Sequence, residues 1–212
     1  MRIVVHLLIR VLLRLFFGVT VLDRLAPGQY IVIANHNTHI DIMILFSLFP
    51  LSMVSKVRTL AAKDYFSSGA KGWLARQLFN VILIERHPGF HRENPIEPIR
   101  QAIRNGYSII LFPEGSRGRP GVLAHFKTGV GELAAEFPDI PIIPVALMGI
   151  EKTLPRNEVL IVPFSIEIKR MPAVTGRELM EQLGTKSRKD ITAELEMRLR
   201  TAIGDASGPL EK

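Results

Sequence analysis

The sequence predicts an α/β fold, with a mixed, mostly parallel sheet, helices on both faces and an amphipathic helix at the amino terminus. Short unbroken apolar runs at residues 30–34, 81–84, 108–112 and 142–148 suit strands buried on both faces. Between them lie longer segments with helical spacing of apolar residues, the alternation expected of a parallel sheet with crossover helices. The first 22 residues form a third signal, because they are almost wholly apolar yet carry regularly spaced bases.

Taken in order, residues 1–22 read as a helix on which Arg2, His6, Arg10 and Arg14 recur every four positions, with every other residue from Ile3 to Phe17 apolar. A central membrane span would carry Arg10 and Arg14 through hydrocarbon at considerable cost. A helix lying in the headgroup interface avoids that cost: the arginines meet lipid phosphates and the leucines face acyl chains. The arginines also interrupt any signal-peptide pattern. An apolar helix packed on its own domain is the remaining reading.

Pro27 and Gly28 mark a turn before the strand at 30–34, and an apolar helix follows over 40–49, stopped by Pro50. A short strand is expected at 59–62, a helix at 69–79 and a strand at 81–84. Helix 95–105 is stopped by Gly106, strand 108–112 follows, and helix 124–137 is stopped by Pro138. A strand at 142–148 precedes shorter candidates at 159–161 and 165–169, and one long helix covers 175–202. The expected organisation is an interfacial membrane helix at 1–22, one domain at 23–203 and a flexible tail at 204–212.

The chain of 212 residues is long enough for a substantial core, and 47% hydrophobic with 22% charged residues is a globular composition. It has no cysteine, which excludes disulfides, thiol nucleophiles and cysteine-ligated metals. The net charge of +7 suits anionic lipid, nucleic acid or a phosphorylated small molecule. Nucleic acid lacks a motif and an aromatic–basic platform.

Two clusters carry chemistry. Asn35, His36, Asn37, Thr38, His39, Ile40 and Asp41 follow the strand at 30–34 and lead into a helix, the usual position of reacting groups in α/β folds. Across that turn Asp41 can reach back to His36, fix its tautomer and support the imidazolium. His39 is the rival base, two residues from Asp41, a spacing that does not face on a helix. Asn35 and Asn37 can pin the turn. A cap and turn without chemistry stays open.

The second cluster, Phe112, Pro113, Glu114, Gly115, Ser116, Arg117 and Gly118, follows another strand. Its glycines let backbone approach a ligand. Ser116 offers a hydroxyl, and Arg117 a planar fork for phosphate. Glu114 would repel a phosphate, so it suits a glycerol hydroxyl or an arginine partner; an ordinary surface turn is the alternative. Arg86 is a second phosphate ligand or a surface ion, while Lys56, Arg58, Lys63 and Lys127 read as solvated charges. His87 and His91 are four apart, but Pro88 and Gly89 between them argue against a helical metal site, and no metal is expected. Esterase-type G-x-S-x-G, G-x-G-x-x-G and Walker-type phosphate loops are absent.

These blocks resemble those of the glycerolipid acyltransferases, including 1-acylglycerol-3-phosphate acyltransferases. Asn35, His36 and Asp41 match the first block; Ile84, Glu85 and Arg86 the second; Phe112 to Arg117 the third, with Ser116 in a threonine position; and Ile143, Pro144 and Val145 the fourth. The resemblance spans roughly residues 30–150, in order. It implies a glycerolphosphate acyltransferase-like fold, His36 as base and Asp41 as its orienting group. It also implies that Arg86, Glu114, Gly115, Ser116 and Arg117 bind the acceptor's phosphate and glycerol.

The implied reaction moves an acyl group from acyl-CoA or acyl carrier protein, as co-substrate, to the hydroxyl of 1-acylglycerol 3-phosphate, with no bound cofactor. The enzyme would be a peripheral or monotopic protein at the cytoplasmic face of a membrane. Glycerol 3-phosphate, another lysophospholipid or a lyso-amino-acid lipid are alternative acceptors. Thioester hydrolysis and noncatalytic lipid binding are further alternatives.

Overall fold

A computed structural model describes residues 2–19, 21, 24–38, 40–62, 79–84, 94–116, 122–149 and 166–204. Its framework is a six-stranded sheet ordered β3-β2-β4-β1-β5-β6. The strands are β1 (Ile31–Ala34), β2 (Val57–Ala62), β3 (Val81–Ile84), β4 (Ser108–Leu111), β5 (Ile142–Met148) and β6 (Glu167–Arg170). All described pairings are parallel except β5 with β6. That antiparallel ladder runs from Val145 to Met148, just past Pro144.

The unbroken apolar run of β1 has the predicted cause, whereas that of β3, an edge strand, is only half-buried. In β1, Ile31 and Ile33 enter one core while Val32 and Ala34 enter the other, so every residue of the strand is buried. The first core packs the sheet against α3 (Glu97–Arg104), α4 (Gly129–Glu136), α5 (Gly176–Leu183) and α6 (Arg188–Ile203). The second packs it against α1 (Arg2–Phe17), α2 (Ile40–Ser47) and a 3₁₀ turn at Leu51–Lys56.

The connections create a crevice. From β1 the chain passes through α2 on one face to reach β2, whereas from β4 it passes through α4 on the other face to reach β5. Since β1 and β4 are parallel neighbours, with Ile33 opposite Leu111, their carboxyl ends open where the helices diverge.

Two helices differ from expectation. The segment 124–128 is not helical, because its backbone donors serve tertiary partners: Ala124 donates to Glu114, Phe126 to Glu196 and Lys127 to the Pro113 carbonyl. The single helix expected over 175–202 is two helices. Gly184 ends α5 at a positive φ of 63°, and Ser187 caps α6 by accepting from Asp190 N–H. The candidate elements at 69–78 and 159–161, and residues 205–212 of the expected tail, lie outside the described residues.

The amino-terminal helix is oriented differently from the sequence reading. His6 is buried, stacked on Phe46 with ring centroids 5.1 Å apart and edge-on to Phe79. Arg10 donates to the Phe49 carbonyl. These two members of the basic stripe therefore face the protein. A four-residue step overshoots the helical turn by about 40°, so the stripe winds around the helix and Arg14 is exposed. The apolar residues Val4, Leu8, Leu15 and Phe16 point outward, Leu15 with 73% of its surface exposed. Among the described residues, no helix is long and apolar enough to cross a membrane.

Candidate active site

Both chemical clusters lie in the crevice, one at the end of β1 and one at the end of β4. Asn35 fastens the first. Its side chain donates to the Leu147 carbonyl at 2.8 Å and accepts from Leu147 N–H at 2.8 Å, extending the β1–β5 ladder by one residue. The chain then turns, and Asp41 enters the first turn of α2, where the helix dipole favours a carboxylate.

Asp41 is fully buried and organises the turn. Its Oδ2 lies 2.8 Å from His36 Nδ1 and accepts from the backbone N–H groups of Asn37 at 2.7 Å and Thr38 at 2.8 Å. Its Oδ1 accepts from the Thr38 hydroxyl at 2.8 Å. With Asp41 ionised, Nδ1 carries the imidazole hydrogen and Nε2 is left with its lone pair. The His36 ring also stacks on Phe112, centroids 4.0 Å apart and planes 18° apart, and its side chain retains 18% exposure. One edge of the imidazole is thus held while the ring stays accessible.

The second cluster is tied to the first by Glu114. Its Oε1 accepts from His36 N–H at 2.8 Å and its Oε2 from Ala124 N–H at 2.9 Å. The buried carboxylate joins three pieces of backbone, from residues 36, 114 and 124. Burial pushes the Glu114 carboxyl above its ordinary range, against the opposing pull of its bonds to Ala124 and His36.

A carboxyl whose folded pKa is raised takes up its proton first in the folded state. Its contribution to stability is therefore present at low pH and lost as pH rises above the ordinary value of 4.5 through the folded one. Glu114→Gln should abolish this falling segment of the stability–pH curve, measured by Tm across pH. It should also lower Tm at neutral pH, because the amide nitrogen confronts one of the two backbone donors.

Gly115 takes a positive φ of 74°, and Ser116 beside it is exposed. A Cβ on Gly115 would lie 2.7 Å from Lys127 Nζ, so the lysine ammonium rests over this turn. Lys127 read as a solvated charge in the sequence; only the extended segment 122–128 brings it here. That segment is held by α6, where Glu196 accepts from Phe126 N–H and Arg200 donates to the Leu123 carbonyl. Thr38 and Phe112 also gain roles that sequence did not assign. The hydroxyl two residues after a motif histidine, and the ring opening the second cluster, were the available signals. Arg86, Arg117 and the rival base His39 lie outside the described residues, as do His87 and His91.

A buried aspartate, an accessible imidazole and an ammonium beside a glycine turn can together deprotonate a hydroxyl carried by an anionic molecule. The acyltransferase family model matches residues 17–148, and the chain belongs to that family. It is 27% identical over 125 residues to a chloroplastic 1-acyl-sn-glycerol-3-phosphate acyltransferase of Brassica napus, a match covering 59% of this chain and 34% of that protein.

A 1-acyl-sn-glycerol-3-phosphate acyltransferase of Chlamydomonas reinhardtii is 26% identical over 198 residues, covering 91% of this chain and 56% of the relative. The matches thus span from about a third to a little over half of these relatives' length. The fold is that of the crystal structure of the 1-acyl-sn-glycerophosphate acyltransferase PlsC from Thermotoga maritima. The TM-score is 0.66 at 20% identity, over 90% of this chain and 71% of that one.

Proposed function

We propose that this protein transfers a fatty acyl group from acyl-CoA or acyl carrier protein to the free hydroxyl of 1-acylglycerol 3-phosphate, giving phosphatidic acid. The reading is carried by one observation: His36 is held through Nδ1 by buried Asp41, with Lys127 over the neighbouring glycine turn. The names of its relatives support the same acceptor.

In the proposed reaction Nε2 of neutral His36 removes the proton as the acceptor oxygen attacks the thioester carbonyl. The resulting oxyanion collapses, the C–S bond breaks and the electron pair leaves on sulfur. A thiol of reference pKa about 8.5 departs with little help from an acid. Asp41 supports the imidazolium formed in the first step.

Arg117, Arg86 and Lys127 serve as phosphate ligands, Gly115 allows close approach to the acceptor, and Ser116 donates a hydrogen bond. Glu114 acts by holding the two loops together, since both its oxygens are engaged by backbone. A labelled acyl thioester offered to a panel of acceptors, with products identified by mass spectrometry, tests the assignment. Phosphatidic acid should dominate, and preferential acylation of another acceptor, or release of free acid alone, would overturn it.

The reading includes a membrane surface as the workplace, with α1 as the interfacial element and residues 23–203 as the transfer domain. The outward apolar face of α1 supports this. Half-burying one such side chain in lipid contributes roughly 1 kcal/mol. Leu8→Ser with Leu15→Ser should therefore weaken binding to neutral phosphatidylcholine vesicles by roughly tenfold or more, measured by co-sedimentation. Unchanged binding would remove α1 from the role.

A further inference from the structure

A cavity of about 640 Å³ lies at the root of α1, where the helix meets the segment that follows it and the end of α2. Arg10, Arg14 and Arg24 line it, and among its described lining residues none is acidic. Its remaining wall is largely apolar and includes Leu7 and Val11, which are also exposed on the outer face of α1. The polar pocket and the apolar helix face are therefore continuous.

We propose that this cavity binds the phosphate-bearing headgroup of an anionic membrane phospholipid, whose acyl chains lie along the outer face of α1. The inference rests on the interfacial reading of that helix and adds a lipid site separate from the acyl acceptor's. Ser47, the last residue of α2, lines the cavity, whereas Asp41 near the start of the same helix holds His36. They are six positions apart on the helix, roughly 9 Å along the axis.

Among the described lining residues three guanidinium groups gather without a carboxylate, and they repel one another. Among the described residues the buried Nε of Arg10 has no hydrogen-bond partner, and burial, with the neighbouring Arg24 charge, pushes the pKa of Arg10 below the ordinary value. A phosphate relieves this repulsion and matches the planar donor forks. Free phosphate has no use for the apolar wall, whereas a phospholipid uses both parts. At a membrane the arrangement selects for anionic lipid, since each arginine near a negative surface contributes about 1 kcal/mol.

The experiment compares binding of the full chain to vesicles of phosphatidylcholine with binding to vesicles containing about 30 mol% phosphatidylglycerol, a strongly anionic surface. The wild type should prefer the anionic vesicles. Arg14→Gln with Arg24→Gln should reduce that preference by roughly ten- to thirty-fold while leaving binding to neutral vesicles intact. Both arginines are exposed, so the fold should persist by circular dichroism.

Lys186→Gln with Lys189→Gln removes the same charge near the start of α6 and should keep the preference. A preference that survives the arginine pair, or falls equally with the lysine pair, overturns the proposal. Calorimetric titration with inorganic phosphate should show no saturable site that depends on Arg14 and Arg24; a saturable site lost in the arginine pair would overturn the lipid assignment. Failure of the wild type to bind either vesicle overturns the membrane reading beneath it. Binding without arginine-dependent preference overturns the headgroup site alone.

Discussion

Replacing His36 by alanine lowers the turnover of acyl transfer by roughly 10²–10⁴-fold, the usual contribution of a positioned general base. In the proposed reaction the effect should fall on kcat, because there the imidazole acts as the acceptor oxygen attacks, and binding of the phosphate is assigned to other groups. The fold should persist. Among the described residues the His36 side chain makes one hydrogen bond and one ring stack, while its backbone N–H, which Glu114 holds, survives the substitution. Purified variant and wild type are compared in detergent for kcat and for Tm. Near-normal turnover in a folded variant would remove His36 from the chemistry, and an unfolded variant would show that the loop depends on the ring itself.

Asp41→Asn should cost a similar factor, roughly 10²–10⁴, by a different route. Asparagine is nearly isosteric and can keep its oxygen toward the donors that now meet Oδ2. Its amide nitrogen then faces the Thr38 hydroxyl, which can rotate to accept. The turn therefore survives largely intact. What disappears is the negative charge, and with it support for the imidazolium that forms during attack. Turnover should fall while Tm changes modestly, a separation that a purely structural aspartate would not give. Parallel losses in stability and turnover would assign Asp41 to the turn alone.

These two residues were legible because their relation is local. A five-residue span between the end of a buried strand and the first turn of a helix leaves few ways to arrange an imidazole and a carboxylate. The strands were legible for a similar reason: a run such as Ile31–Ala34, apolar at every position, has to be covered on both faces.

Glu114 was read as a partner for glycerol or arginine, and its described partners were not legible. Its partners are backbone groups of His36, 78 residues away, and of Ala124 in a segment expected to be helical. The position of Lys127 over the glycine turn was not legible for the same reason. The bonds that stretch residues 124–128 past the glycine turn come from Glu114, the Pro113 carbonyl and Glu196, and no local pattern announces them.

The amino-terminal helix draws the line most clearly. Its composition determined that it is amphipathic, with bases recurring every four residues through an apolar run. Which side the domain covers depends on what α2 and the residues just after it present, and they present Phe46 to His6 and the Phe49 carbonyl to Arg10. Sequence by itself determined the alternation of strand and helix and the two motif turns, because these follow from periodicity and from residues close along the chain. Tertiary structure decided which turns meet, which carboxylate joins them and which face of α1 is left outward. Those outcomes rest on contacts between segments far apart in sequence, whose geometry exists only once the sheet has formed.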